Sequence, residues 1–179
     1  QVTLFMGLQS SLSYIVLGWL APLLRDRGLD AATAGWVVSL SALLQAPAAL
    51  GVPVLLGRSR SQSAIIVASM TLTLIGLVGA LYAPLSTIWW WTSILGMAQG
   101  SNFSIALSLI VFRAKDAHSA TNLSGMAQSV GYSVAALGPL SAGLLKDLTG
   151  SWTLLGVVLS TICLLAACIG YCAGKDRIV

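Results

Sequence analysis

Six apolar segments, each long enough to cross a membrane, follow one another along the chain with only short connectors between them. A helix needs about 20 mostly apolar residues to span the hydrocarbon core of a bilayer. The sequence predicts such helices over approximately 2–24, 32–56, 63–83, 87–112, 120–145 and 152–173. None of the connectors is long enough to hold a soluble domain. We therefore expect an all-α integral membrane protein, with residues 1–179 forming a single six-helix transmembrane bundle.

Charge is scarce and lies outside the apolar segments. Only 8% of the 179 residues are charged, against about 25% in ordinary soluble domains. The nine Lys and Arg residues are scattered rather than clustered, which argues against nucleic acid as a partner. The only histidine, His118, lies in a connector, so neither a Ser–His pair nor a metal centre can be built inside the membrane. We therefore expect no enzyme, no metal and no cofactor.

Basic residues and tryptophans mark opposite sides of the predicted bundle. One side holds Arg25, Arg27 and Lys146. The other side holds twice as many basic residues: Arg58, Arg60, Arg113, Lys115, Lys175 and Arg177. All six tryptophans fall at helix ends on the less basic side, and indole rings favour the headgroup layer. Because basic loops stay in the cytoplasm, we expect both ends of the segment to be cytoplasmic.

Amide and phenol side chains occur near the middle of four of the predicted helices, the first, second, fourth and fifth. Taken singly, such residues more often bond neighbouring helices, at about 0.6 kcal/mol each. As a set, they predict a polar cavity lined by these four helices, with the third and sixth outside it, because polar groups at depth face a bundle interior or water. The candidate substrate-binding residues are Gln9, Tyr14, Gln99, Asn102, Gln128 and Tyr132. Gln128 and Tyr132 share one face of their helix, and we expect Gln99 to reach a similar depth.

Glycine and proline indicate where helices pack closely or bend. Gly96 and Gly100 belong to a ridge of small residues on the fourth helix, which admits close contact with a neighbour. In the fifth helix, Gly138 precedes Pro139, and a proline removes one backbone hydrogen bond from a helix. Two interpretations stay open: a harmless kink, and a bend that lets the fifth helix move.

Three stretches of the sequence resemble a known transporter family. They are "FMGLQSSLSYIVLGWLAPLLRDRGL", "GMAQGSNFSIALSLIVFRA" and "LSGMAQSVGYSVAALGPLSAGLLKDLTGSW". Over essentially the whole chain, the sequence resembles the cyanate and 2-nitroimidazole transporter (CynX/NimT) family of the major facilitator superfamily. The resemblance implies the C-terminal half of such a carrier, a 3+3 inverted repeat in a bacterial-type inner membrane. Arg58 and Arg60 match the superfamily's cytoplasmic gating loop, but Leu55 stands where its aspartate is often found, so no Arg–Asp gate is carried over.

The same resemblance implies a function and partners. It implies secondary active transport of a small polar or anionic solute by alternating access, together with an N-terminal six-helix half of the same transporter, in a lipid bilayer. Because no cation lies at mid-membrane, we expect a cation for a charged substrate in that other half. Two alternatives stay open: a self-contained six-helix protein that homodimerises into a channel or carrier, and a non-transporting scaffold. The start at Gln1, without a methionine, favours a fragment or processed part of a longer chain.

Overall fold

Six long helices account for almost all of the described chain. The computed structural model describes residues 1–59 and 61–175. The helices are α1 (Val2–Asp26), α2 (Ala31–Arg58), α3 (Gln62–Tyr82), α4 (Ile88–Arg113), α5 (Ala117–Thr149) and α6 (Trp152–Ala173). The prediction of an all-helical protein with six helices is confirmed. Arg60 and residues 176–179 lie outside the described residues, and with them the gating role expected of Arg60.

The fifth helix is longer than the predicted range of 120–145, because both of its ends have side-chain or glycine caps. Asp116 caps its start, where its Oδ1 accepts a hydrogen bond from the backbone N–H of Ser119 at 2.7 Å. This bond lowers the pKa of the Asp116 carboxyl. Gly150 ends the helix with φ +65°, a left-handed conformation that glycine adopts without steric cost. As a result α5 gains three residues at its start and four at its end.

Five of the six helices are long and apolar enough to cross a membrane. They are α1, α2, α3, α4 and α6. Within the described residues α5 is the exception, because polar side chains such as Gln128, Ser129 and Ser133 interrupt its apolar surface. A helix of this kind is stable at membrane depth when its polar groups face protein or water. The packing of α5 against α1 is consistent with this requirement.

The helices pack as two equivalent sets of three. The helix α2 lies along α4 in the way that α5 lies along α1, while α3 packs on α4 and α6 packs on α1. In addition, α1 contacts α4 and α3 contacts α6. Exchanging the first three helices with the last three therefore reproduces the most extensive contacts, although α5 also touches α6 where α2 and α3 share at most marginal contact. This equivalence is what an inverted repeat of three helices requires.

Glycines allow α4 to approach α2 until their backbones touch. A Cβ atom added at Gly96 would lie 2.2 Å from the carbonyl oxygen of Ser41, and one added at Gly100 would lie 2.2 Å from that of Gln45. One turn further along α4, the Ser104 hydroxyl donates to the carbonyl oxygen of Ala49 in α2 at 2.7 Å. The ridge expected from the sequence thus lies against α2, and the α2–α4 seam has no room for larger side chains.

The equivalent seam between α5 and α1 is less tight and is bonded at the proline. A Cβ atom added at Gly138 would lie 3.1 Å from the Ile15 side chain. The indole N–H of Trp19 donates to the carbonyl oxygen of Pro139 at 3.0 Å. The helix α5 continues through Pro139 as one element. The backbone around this proline is therefore bonded to α1 in this conformation.

Two arginines fix the end of the third helix in each set. Arg27, which follows α1, donates to the carbonyl oxygens of Ala80 and Ala83 at the end of α3. Arg113, the last residue of α4, is buried and donates from Nε to the carbonyl oxygen of Ala173 at the end of α6, at 3.0 Å. A cation is favourable at the C-terminal end of a helix, where free carbonyls carry partial negative charge. The two arginines are equivalent under the exchange of repeats and lie at opposite ends of the bundle.

Candidate functional site

One surface of the bundle lies between α2 and α5, and we call it the open face. These two helices share at most marginal contact with each other, so the strip of α1 between them is uncovered. Tyr14 and Leu17 of α1 are 41% and 58% exposed there. They are three residues apart and so lie on the same side of the helix. The helices α3 and α6 pack on the other side of the α1–α4 pair, so neither reaches the open face.

Tyr14 and Tyr132 form an aromatic pair on the open face. Their ring centroids are 6.4 Å apart, and the ring planes are tilted by 36°. This distance is within the range of about 4.5–7 Å in which aromatic rings attract each other. Among the described residues neither phenol hydroxyl has a hydrogen-bond partner. The structure thus brings together two of the predicted residues and leaves both hydroxyls available to a bound solute.

Gln128 lies on the same face of α5 as Tyr132 but nearer one end of the bundle than expected. Its Nε2 donates to the hydroxyl of Ser124 at 2.6 Å. One turn further along α5, Gly131 packs against Gly7 of α1. Gly131 lies much further from the start of its helix than Gly7 does, so α5 begins about nine residues, or about 13 Å, before the level at which α1 begins. Gln99 instead borders Leu17, two or more turns away. The expectation that Gln128 and Gln99 share a depth is wrong, because the register between α1 and α5 moves Gln128 towards the end.

The three remaining predicted amides are buried inside the bundle rather than on the open face. Gln9, Gln99 and Asn102 are 1%, 3% and 2% exposed. Asn102 Nδ2 donates to the hydroxyl of Thr73 on α3 at 2.8 Å, and Gln9 Nε2 donates to Ser10 at 2.8 Å. One atom of each amide has no partner among the described residues, namely Gln9 Oε1, Gln99 Nε2 and Asn102 Oδ1. The predicted site therefore divides into an exposed group and a buried group.

Other polar contacts lie at the bundle ends, among the charged residues and tryptophans from which the orientation was predicted. The indole N–H of Trp152 donates to Asp26 Oδ2 at 2.9 Å, and Lys146 Nζ lies 3.5 Å from the same oxygen. This cluster joins the ends of α1, α5 and α6. Arg58 is exposed at the end of α2 and has no ion-pair partner within residues 1–59 and 61–175. A charged residue at a helix end is too common in sequences to have identified Asp26, Lys146 or Arg58 as functional residues.

The sequence pattern of the Major Facilitator Superfamily matches residues 2–177 of the chain. The chain therefore belongs to this superfamily, whose members are membrane transporters and not enzymes. Its helices are accordingly integral membrane helices. The expected superfamily is confirmed.

Relatives along nearly the whole chain are bacterial transporters. The chain is 44% identical to the uncharacterized transporter YycB of Bacillus subtilis (strain 168) over 179 residues, which are 99% of this chain and 44% of that protein. It is 37% identical to the 2-nitroimidazole transporter of Escherichia coli (strain K12) over 177 residues, 99% of this chain and 45% of that protein. It is 25% identical to the cyanate transport protein CynX of the same organism over 137 residues, which are 76% of this chain and 35% of that protein. The expected resemblance to the CynX/NimT family is confirmed, and the chain spans less than half the length of these relatives.

Proposed function

We propose that this chain is the C-terminal six-helix half of a secondary transporter that moves a small polar or anionic solute by alternating access. The observation that supports this most is the open face: α2 and α5 stand apart, and two tyrosines with available hydroxyls lie between them. A superfamily carrier works by rocking two such halves against each other around a site at mid-membrane. The open face is where this half contributes to that site.

The partner in this proposal is the N-terminal six-helix half of the same transporter. Residues 1–179 then form one transmembrane bundle in a bacterial-type inner membrane, with both ends of the segment in the cytoplasm. The large apolar side chains on α2, among them Trp36, Leu43 and Leu50, are exposed along much of the helix. An exposed apolar surface of this extent marks a membrane or protein interface. In this proposal one side of α2 contacts lipid and its opposite side contacts the N-terminal half, which accounts for the exposure.

The solute contacts in this proposal come from both groups of predicted residues. Tyr14, Tyr132 and Gln128 bind it from the open face, as a phenolic wall and a neutral hydrogen-bond donor. Gln9, Gln99 and Asn102 supply further amide groups at other depths of the bundle, since Gln99 lies two or more turns from Gln128 and Asn102 is bonded to Thr73 on α3. Gly138 and Pro139 serve as the point at which α5 bends, and Arg58 and Arg60 belong to the cytoplasmic gating loop. Two relatives are named for 2-nitroimidazole and cyanate, both small solutes, which supports the same size class here.

Uptake into vesicles tests the proposal. The full-length carrier, reconstituted into proteoliposomes, should show saturable uptake of radiolabelled 2-nitroimidazole or cyanate above that of protein-free vesicles. Uptake of the same size by residues 1–179 alone, with a dimer in cross-linking, would instead support a self-contained homodimer. A well-folded full-length protein that moves neither solute, nor any of a wider panel of small polar solutes, would support the scaffold alternative and contradict the proposal.

A further inference from the structure

Gln99 is a buried amide whose side chain has no hydrogen-bond partner within the part of the chain that the structure describes. Its side chain is 3% exposed, and within the described residues it makes no side-chain hydrogen bond. A buried polar group that is left unpaired costs about 1–3 kcal/mol, so such groups are rare and mark sites with a further role. Because amide oxygen and nitrogen are distinguished only by their partners, either end of the Gln99 amide can turn towards a ligand.

Gln99 faces a small cavity of about 10 Å³ between α1, α2 and α4. This volume is about that of one hydroxyl-sized or water-sized group. Two further polar side chains line the cavity, Ser41 and Gln45 of α2. Ser41 is 3% exposed and Gln45 is half-buried, and neither has a side-chain hydrogen-bond partner in the described part of the chain. Within the described residues, three polar side chains without a side-chain hydrogen-bond partner therefore border one cavity, whose lining is otherwise apolar and comes from Val16, Leu17, Leu20, Val38 and Ala42.

The α2–α4 seam holds these side chains in place. Gly96 packs on the carbonyl of Ser41, and Gly100 packs on the carbonyl of Gln45, so the backbones that carry the polar groups cannot separate without opening the seam. Leu17 also lines the cavity, and it is 58% exposed on the open face. The cavity is thus a fixed recess at the edge of the surface proposed above to bind solute.

The chemistry of the recess favours an uncharged group. Amides and hydroxyls each donate and accept hydrogen bonds, and among residues 1–59 and 61–175 no charged side chain lines the cavity. Burying a bare anion there would leave its charge uncompensated, which is far more costly than burying a neutral polar group. A neutral O–H or ring N–H satisfies the lining groups at no such cost.

We propose that Ser41, Gln45 and Gln99 form a specificity pocket that receives one neutral O–H or N–H group of the solute. This inference rests on the proposed transport function and adds a preference to it: the carrier favours solutes with a free hydrogen-bond donor of hydroxyl size. In this proposal Ser41, Gln45 and Gln99 each contact that group of the solute directly. The aromatic pair of Tyr14 and Tyr132 then binds the remainder of the solute.

A matched pair of probes tests the preference in the full-length carrier. The probes are 2-nitroimidazole and its N-methyl derivative, which lacks the ring N–H. We expect wild-type kcat/KM to be about tenfold higher for the first, the effect of losing one buried hydrogen bond. The Gln99→Leu variant removes both polar atoms of the side chain and should reduce this ratio to within about twofold, mainly through KM. Ser101→Ala, on an exposed part of α4, should keep it. A wild-type ratio in Gln99→Leu would overturn the proposal.

Thiol labelling tests the pocket independently of transport. In a full-length carrier without its native cysteines, Ser41→Cys should react with a small neutral methanethiosulfonate at least about tenfold faster than Ser69→Cys. Ser69 is a matched control, since it is 6% exposed and its hydroxyl bonds to the backbone of α4 inside the core. Equal rates would overturn the pocket even in an active carrier. If the wild type carries neither probe, that result counts against the proposed function, and the labelling result alone decides for or against the pocket.

Discussion

Replacing Gly100 by alanine tests whether the α2–α4 seam is as tight as its geometry indicates. The new Cβ would lie 2.2 Å from the carbonyl oxygen of Gln45 and 2.6 Å from its Cα. Since C···O contacts are ordinarily about 3.3 Å, the helices must separate locally by about 1 Å. Both nearby atoms belong to the backbone of a long helix, so no side chain can rotate away to relieve the clash.

The size of the effect follows from two opposing contributions. Overpacking a well-packed site costs about 1–3 kcal/mol, and a clash against backbone belongs at the upper end of that range. Alanine in a helix is better than glycine by about 1 kcal/mol. We therefore expect Gly100→Ala to lower the free energy of unfolding by about 1–2 kcal/mol.

Gly51→Ala is the matched control, because Gly51 lies in α2 and no atom of the described residues lies within 4 Å of the position of its Cβ. Both variants gain the same helix propensity, so their difference isolates the clash, at about 2–3 kcal/mol. At about 2–4 °C per kcal/mol for a chain of 150–250 residues, their midpoints in a thermal melt in detergent should differ by about 5 °C or more. Equal midpoints for Gly100→Ala and Gly51→Ala would refute the close approach of α2 and α4.

Three further predictions concern the helix ends and the membrane. Arg113→Lys should lower the free energy of unfolding by about 1.5–3 kcal/mol, the range for a hydrogen bond to a charged group. The guanidinium bonds both to the end of α6 and to Gln62, and a lysine cannot reach both. A melting temperature equal to that of the wild type would contradict this prediction. Trp19→Phe removes the bond to the carbonyl of α5 and should cost about 0.5–1.5 kcal/mol in the same assay, and no change would show that this bond does not hold the proline segment. A cysteine at Arg58 should react with an impermeant thiol reagent only in permeabilised cells, and one at Asp147 should react in intact cells; the reverse pattern would contradict the orientation.

The number and extent of the helices could be predicted because they depend on local features. Apolar runs of membrane length and short polar connectors are visible in the sequence, and the observed ends agree with them to within a few residues. The exception is α5, whose ends depend on the caps at Asp116 and Gly150. The ridge at Gly96 and Gly100 was also visible, because small residues four apart indicate close packing wherever a partner is present.

The side of the helix to which each amide points could not be predicted. In a membrane, lipid and protein core are equally apolar, so the sequence gives little contrast between inward and outward faces. Asn102 turns towards Thr73 on a helix that carried no candidate residue, while Tyr14 turns to the open face. The register between parallel helices is likewise a property of packing, and it separates Gln128 from Gln99. The role of Arg113 at the end of α6 could not be predicted either, because no local sequence pattern shows that α6 ends beside this residue.

If solute binds to the open face, it should protect a single cysteine placed there from alkylation. In a full-length carrier without native cysteines, Tyr132→Cys should be alkylated by a small maleimide, and saturating 2-nitroimidazole should slow that reaction several-fold by covering the site. Tyr82→Cys is the control, since Tyr82 is exposed on α3, away from the open face, and its rate should not change. An unchanged rate at Tyr132→Cys in a variant that still transports the solute, or protection at Tyr82→Cys instead, would show that solute does not bind to the open face.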